Sequence, residues 1–273
     1  MLDLRWPTPD GRPPKALWVT ALAVLLLLLV SAPLVEFNLW TLVTKADDAV
    51  LFMGRMFHQP PEWEYLPQFA LKMLETLEIA LLATVLATLI SLPLGFLAAR
   101  NATPHPWVGQ LVRDVTAFLR ALPELVWALV FVSAIGLGPF PGVLAITVVS
   151  VGFMARFFAD ALEVIPSGPV EGVAAHGAGW LQVRSFAMFP QALPDFIGTL
   201  LYVLDHNVRA ATVLGIVGAG GIGFDLVTSI RYFEFERLII IILGIYLAVT
   251  LIDRFSSYVR GQVIHGGGYR HGD

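Results

Sequence analysis

Apolar blocks long enough to cross a bilayer alternate with short charged stretches along most of this chain. Residues 16–35 carry twenty uncharged positions, and at about 1.5 Å per residue a helix of that length covers the roughly 30 Å hydrocarbon core. The block is longer than a signal peptide needs, and Ser31-Ala-Pro33 is only faintly like a cleavage site, so an uncleaved anchor is expected. Charges return in 36–68 with Lys45, Asp47, Asp48, Arg55, Glu62 and Glu64, among prolines 60, 61 and 67. That stretch predicts an aqueous connection holding a short amphipathic helix near 47–57.

A second span lies at 79–99, bounded by Glu78 and Arg100, and is expected to begin nearer Phe69. Residues 125–155 are uncharged, but the Gly-Leu-Gly-Pro-Phe-Pro-Gly run at 136–142 divides them into two helices. The piece before that turn is too short to cross unless it reaches back through the Arg-Ala-Leu-Pro-Glu run at 120–124. The third span is therefore expected to contain Arg120 and Glu124, four residues apart, with a kink at Pro123. A fourth span covers 142–162, a fifth 194–217 and a sixth 233–258. The expected fold is all-α, a polytopic membrane protein with six transmembrane helices. It is organised as 1–68 (tail, first span and outer connection), 69–260 (a five-helix core) and 261–273 (a tail).

Composition agrees with this reading. The chain of 273 residues is 57% hydrophobic and 14% charged, with a mean hydropathy of +0.75, against about 25% charged residues in a soluble globule. A net charge of -4 without a basic run excludes a polybasic nucleic-acid binder. The absence of cysteine removes disulfides, thiolate metal sites and cysteine nucleophiles. With the N-terminus inside, nine Lys and Arg (5, 12, 15, 100, 113, 184, 254, 260, 270) fall on the cytoplasmic side and five (45, 55, 72, 231, 237) outside. That bias predicts both termini in the cytoplasm.

The longest cytoplasmic connection, 163–190, has too few charges and too little flexibility for a linker. Gly168 and Pro169 predict a helix start, with Pro at the first helical position and Glu171 at the third, where its side chain can reach the cap amide. Gly177 and Gly179 then predict a break, followed by a second short helix over 180–188 that runs into Pro190.

Glu171, Gly177 and Pro190, separated by five and twelve residues, resemble the cytoplasmic loop signature of ABC importer permeases. Gly172 and Val173 stand where that signature has two alanines, and Ala174, Ala175 and Ala178 keep the surface small. The runs at 120–124 and 190–194 (Pro-Gln-Ala-Leu-Pro), and 207–215 (Asn-Val-Arg-Ala-Ala-Thr-Val-Leu-Gly) followed by 218–223 (Gly-Ala-Gly-Gly-Ile-Gly), resemble phosphonate-type permeases, a group that includes phosphite transporters. The resemblance covers roughly 69–258. It implies the type I ABC permease fold, a homodimer of this chain in the bacterial inner membrane, two cytoplasmic ATPase subunits that bind ATP and Mg, and a periplasmic or lipid-anchored substrate-binding protein. The 163–190 loop would dock on the ATPase.

Two further clusters draw attention. Asp205, His206, Asn207 and Arg209 interrupt the apolar fifth span, and a charge near the bilayer centre costs about 2.5–3.5 kcal/mol on insertion scales, so they must face protein or water. Asp205 and Arg209 can pair along one helix face. Together with Arg120 and Glu124 the cluster is expected either to hold helices together or to line a translocation path, with a proton relay as a third reading. Gly218, Gly220 and Gly223 match dinucleotide-fingerprint spacing, but no strand precedes them. With Gly221 they predict close chain approach at an outer gate or dimer contact. His265 and His271 sit in a Gly-rich tail and are read as solvated.

No catalytic or metal site is expected, and no phosphate-binding loop of the Gly-x-x-x-x-Gly-Lys-Ser/Thr type occurs, so nucleotide must bind a partner. The function expected is the membrane subunit of an ATP-driven importer for phosphonates or phosphite. A permease for methionine or another small solute is the rival. A proton-coupled carrier would show inverted repeats, which are not found. An intramembrane enzyme would need a metal-ligand pair or a serine with a base, and neither is found.

Overall fold

The computed structural model describes residues 15–35, 38–58 and 60–266. Arg5, Arg12, Glu36, Arg270 and His271 lie outside the described residues, as does the His265 side chain. Every regular element among those described is helical, as the bilayer demands: without water, each backbone N–H and C=O must be satisfied within its own segment. The chain divides into two compact units, residues 1–58 and 59–273.

The first unit contains α1 (Lys15–Leu34), α2 (Leu39–Thr44) and α3 (Ala46–His58). In α1, 19 residues, Lys15–Pro33, are apolar enough to cross a membrane. The Asn38 side chain accepts the Trp40 amide at 2.9 Å and caps α2.

In the second unit, a short helical turn Trp63–Tyr65 leads into α4 (Leu66–Ala98), followed by α5 (Pro106–Leu119), α6 (Glu124–Ile135) and α7 (Pro139–Glu163). Then come α8 (Ser167–Ala175), α9 (Trp180–Val183), α10 (Phe189–Leu214), α11 (Ile222–Arg231) and α12 (Phe235–Gly266). The central helix is α7, which is buried along most of its length and packs against α4, α5, α6 and α10. Small residues make this possible: Ala83, Ala87 and Gly95 of α4 and Ala145, Ala155 and Ala159 of α7 are buried. Such residues let helices approach closely where lipid offers no hydrophobic driving force. Phe158 fills the inner part of the core, 4.4 Å centroid to centroid from Phe196 of α10.

Among the described residues five helical stretches are long and apolar enough to span, and a sixth if α5 and α6 are taken as one broken span. Here the expected kinked third span is corrected. The helix stops at Leu119, Arg120 caps it, Pro123 precedes the next start, and the two helices are bent by 81°. Trp127 explains the break: its indole N–H donates to the Leu119 carbonyl at 3.1 Å, satisfying an orphan acceptor at the end of α5. Its ring also meets Phe118 edge-on at 6.4 Å. The α6 helix, with 12 residues, is about 18 Å long and cannot cross alone.

The 163–190 loop also differs from expectation. Its first helix begins at Ser167, so Pro169 is its third residue and Glu171 makes no cap bond. Pro166 precedes it as the cap position, which leaves no side-chain oxygen there to act. Nor is the second helix separate from the fifth span: α9, a π turn at Arg184–Met188 and α10 form one rod from Trp180 to Val217. A proline lacks an amide and clashes with the carbonyl four residues back. The wider turn just before Pro190 removes both problems without ending the helix.

Candidate functional site

One end of the bundle is organised around the loop. Gly177 stops α8 in the left-handed region at φ 79°, its amide donating to the Ala174 carbonyl at 3.0 Å. The Gln182 side chain reaches back to the Gly179 amide at 2.8 Å and starts α9. Trp180 and Arg184 then both donate to the Ala102 carbonyl at 3.1 Å, and the guanidinium lies 4.7 Å from the indole centroid. This fastens the base of the loop to the turn between α4 and α5. Asn101 donates to the Leu162 carbonyl at 2.7 Å from the other side. The loop thus leaves a rigid base with Gly168, Pro169, Glu171, Ala174, Ala175 and Gly177 exposed, Pro190 exposed at its end, and Ala178 half-buried.

In the middle of the bundle, Asn207 is 1% exposed. Its amide donates to Thr84 Oγ1 at 2.9 Å and its carbonyl accepts from Ser150 Oγ at 2.9 Å, so it ties α4, α7 and α10 together. Asp205 and Arg209 pair directly; the Asp205 side chain is 8% exposed and that of Arg209 50%. The other carboxylate oxygen, Asp205 Oδ1, is buried with no partner among the described residues.

His206 points the other way, into the open. Tyr202, His206, Arg209 and Val213 follow one another at steps of four, three and four, and all four are exposed. Alongside this stripe runs a furrow between α7 and α10. At one end α12 joins the lining, in a groove of about 570 Å³ that includes Asp160, Asp195, Tyr202 and Arg260. Phe157 and Tyr202, edge-on at 6.3 Å, narrow it to a space of about 80 Å³ reaching Ser150 and His206. Beyond lies a crevice between Glu124, Ile146 and His206. Of the polar residues singled out in the sequence, Glu124, His206 and Asn207 therefore meet at one crevice. Arg120 is not in that crevice's lining: its guanidinium lies 6.0 Å from the Phe153 ring centroid.

The glycine run lies at the opposite end as a packed junction. Gly218, Gly220 and Gly221 have φ of 80°, 81° and 74°, and a Cβ on Gly223 would come within 2.0 Å of the Thr212 carbonyl oxygen. The first amides of α11 donate to side chains of α4: Gly221 to Glu75 at 3.1 Å and Ile222 to Thr76 at 2.8 Å. A carboxylate at a helix N-terminus also meets the positive end of its dipole. Lys72 completes the contact, 2.8 Å from Glu75.

A charged latch closes the same end. Arg237 at the start of α12 grips Glu62 through two bonds, at 2.6 and 3.1 Å, and reaches Glu234 at 3.1 Å. The Tyr65 hydroxyl donates to Asp225 at 2.7 Å. The sequence places Glu62 in an aqueous connection and Arg237 on the outer side without pairing them, and gives Asp225 no role, because partners 160 and 175 residues apart leave no local pattern.

The Arg237 guanidinium holds the Glu62 carboxyl below its ordinary range. A depressed folded pKa means that the latch contributes fully above the ordinary carboxylate pKa of about 4.3 and loses its contribution as pH falls through the folded value. Wild type is expected to outlast Glu62→Gln on heating at pH 6, with the advantage shrinking below about pH 4. Thermal unfolding in detergent reads this, and an advantage unchanged at acid pH would contradict it.

Residues 91–264 match the family described as "Binding-protein-dependent transport system inner membrane component". The Phosphate-import permease protein PhnE of Mycolicibacterium smegmatis is 43% identical over 70% of this chain, which spans only 36% of that protein's length. The Phosphite transport system permease protein PtxC of Stutzerimonas stutzeri is 41% identical over 74% of this chain and 73% of its own. Among solved structures, the MetNI methionine ABC transporter in inward-facing conformations superposes with a TM-score of 0.63 at 23% identity, covering 74% of this chain and 99% of that one. At that identity the likeness concerns the fold.

Proposed function

The chain belongs to the binding-protein-dependent transport system inner membrane components, and on that premise we propose that it is the transmembrane subunit of an ATP-driven importer for phosphonates or a related phosphorus oxyanion such as phosphite. The substrate class is supported by the relatives named for phosphite and phosphate import and by the motifs at 120–124 and 207–223. Both termini lie in the cytoplasm in this reading, which puts α8 on the ATP side and the glycine junction outside.

One observation carries the mechanism. On α7 and α10, two membrane-spanning helices, Asp160, Tyr202 and His206 line an open furrow, and Arg156 and Arg209 are exposed on the same two helices. Lipid does not tolerate that row, so it must face water or another protein. A second copy of this chain set against the furrow closes it into a path, with Arg209 and His206 available to an oxyanion and Asp205 holding Arg209 in place. Bidentate geometry suits guanidinium to phosphorus oxyanions. Two ATPase subunits carrying ATP and Mg seat α8 in their grooves, and closure of the ATPase pair moves each docked loop as a unit, which changes access to the path. A substrate-binding protein delivers the ligand at the glycine-rich end.

The chain has no cysteine, so a single one can be placed freely. Tyr202→Cys is expected to cross-link two copies in membranes, and Leu89→Cys, on an apolar exposed face of α4, is expected not to. Dimer formed equally by both, or by neither, contradicts the closed furrow.

A further inference from the structure

The family match begins at residue 91, and the first unit lies wholly outside it. Within that unit α3 has a division of faces that the expected aqueous connection does not explain. Ala46, Ala49, Val50, Met53 and Met56 recur at steps of three and four along one side of the helix. At 100° per residue they occupy an arc of about 120°. Asp47, Asp48, Arg55 and His58 occupy the other side, where Leu51 also lies, and Phe52 stands at the boundary between the two sides. Val50 is 68% exposed and Met53 55%.

The chain's own length limits what can cover this face. Between the end of α1 at Leu34 and the start of α3 at Ala46 lie eleven residues, six of them coiled into α2. After His58 the next span begins at Trp63. A helix strung between two membrane-crossing segments by connections this short is held close to the bilayer surface. With 13 residues it is about 20 Å long and cannot cross. An apolar arc turned to the acyl chains and a charged arc turned to water is how such a helix rests in an interface. Trp40, 70% exposed in the neighbouring α2, is a residue type enriched at that depth.

We propose that α3 lies flat in the lipid interface, on the side where α1 emerges, with Ala49, Val50 and Met53 turned into the acyl region. The seat is apolar rather than electrostatic, because two aspartates against one arginine give no attraction to anionic headgroups. It fixes the end of α1 at the interface and makes the first unit a three-part anchor. This does not depend on the transport reading.

The test uses the full chain in lipid nanodiscs, with one spin-labelled cysteine at a time replacing Asp47, Asp48, Ala49, Val50, Met53 or Arg55. Labels at 49, 50 and 53 are expected to collide more with oxygen than with a water-soluble nickel chelate, and labels at 47, 48 and 55 the reverse. The pattern is expected to be the same in phosphatidylcholine and in phosphatidylglycerol. High nickel access at all six positions would show a solvated helix and overturn the proposal. Low access to both reagents at 49, 50 and 53 would show a protein partner and overturn it as well. A pattern that appears only in phosphatidylglycerol would refute the apolar seat.

Discussion

Gly177→Val is expected to cut ATP-driven uptake by about 5–30-fold while leaving the helix bundle inserted and folded. Gly177 sits at φ 79°, a region that costs a side chain about 1–2 kcal/mol and a β-branched one more. That energy corresponds to a factor of about 5–30 in the population of the native turn. A Cβ there would meet nothing within 4 Å, so the cost is paid by the backbone of one exposed turn and does not spread into the core. What changes is the angle at which α8 leaves α9, and with it the docking surface. Gly177→Ala should show a smaller loss in the same direction. Uptake and co-purification of the ATPase together decide it: a valine variant that keeps both would remove the loop from the coupling mechanism.

Arg209→Ala is expected to lower the stability of the purified chain by about 2–3 kcal/mol. Breaking a buried ion pair by removing one partner costs about 3–5 kcal/mol because the remaining charge is uncompensated. Asp205 is buried, but half the Arg209 side chain is open, which places the effect at or below the lower end. Replacing both, Asp205→Asn with Arg209→Gln, should restore most of the stability, since neither charge is then stranded. Transport separates packing from path. The double variant is expected to stay inactive because the oxyanion has lost its cation, and normal uptake by a stable double variant would reduce the pair to helix packing.

The spans were legible because lipid forces a simple rule: long apolar segments with few charges, closed on themselves as helices. Gly177 was legible for a local reason, the need for a left-handed residue where a helix ends. The break between α5 and α6 was not, because Pro123 is compatible with a kink or a stop, and the choice rests on Trp127 reaching back to Leu119. Likewise Pro190 reads as an end, whereas a π turn ahead of it lets the helix continue. At the polar cluster the i, i+4 spacing disclosed the Asp205–Arg209 pair. It could not disclose that Asn207 faces Thr84 and Ser150 while its neighbour His206 faces the furrow, because that depends on which side of α10 its neighbours cover. Glu75 and Thr76 were missed altogether: they look like two polar residues near the start of a span, and only the folded chain brings the α11 amides to them.

Uptake of a labelled phosphonate or phosphite into sealed vesicles, with this chain reconstituted alone or with the proposed ATPase and binding protein, separates an importer from a carrier. The importer account predicts uptake only with both partners and ATP on the ATPase side, unchanged when an uncoupler collapses the proton gradient under clamped ATP. Partner-free uptake that the uncoupler abolishes would contradict it.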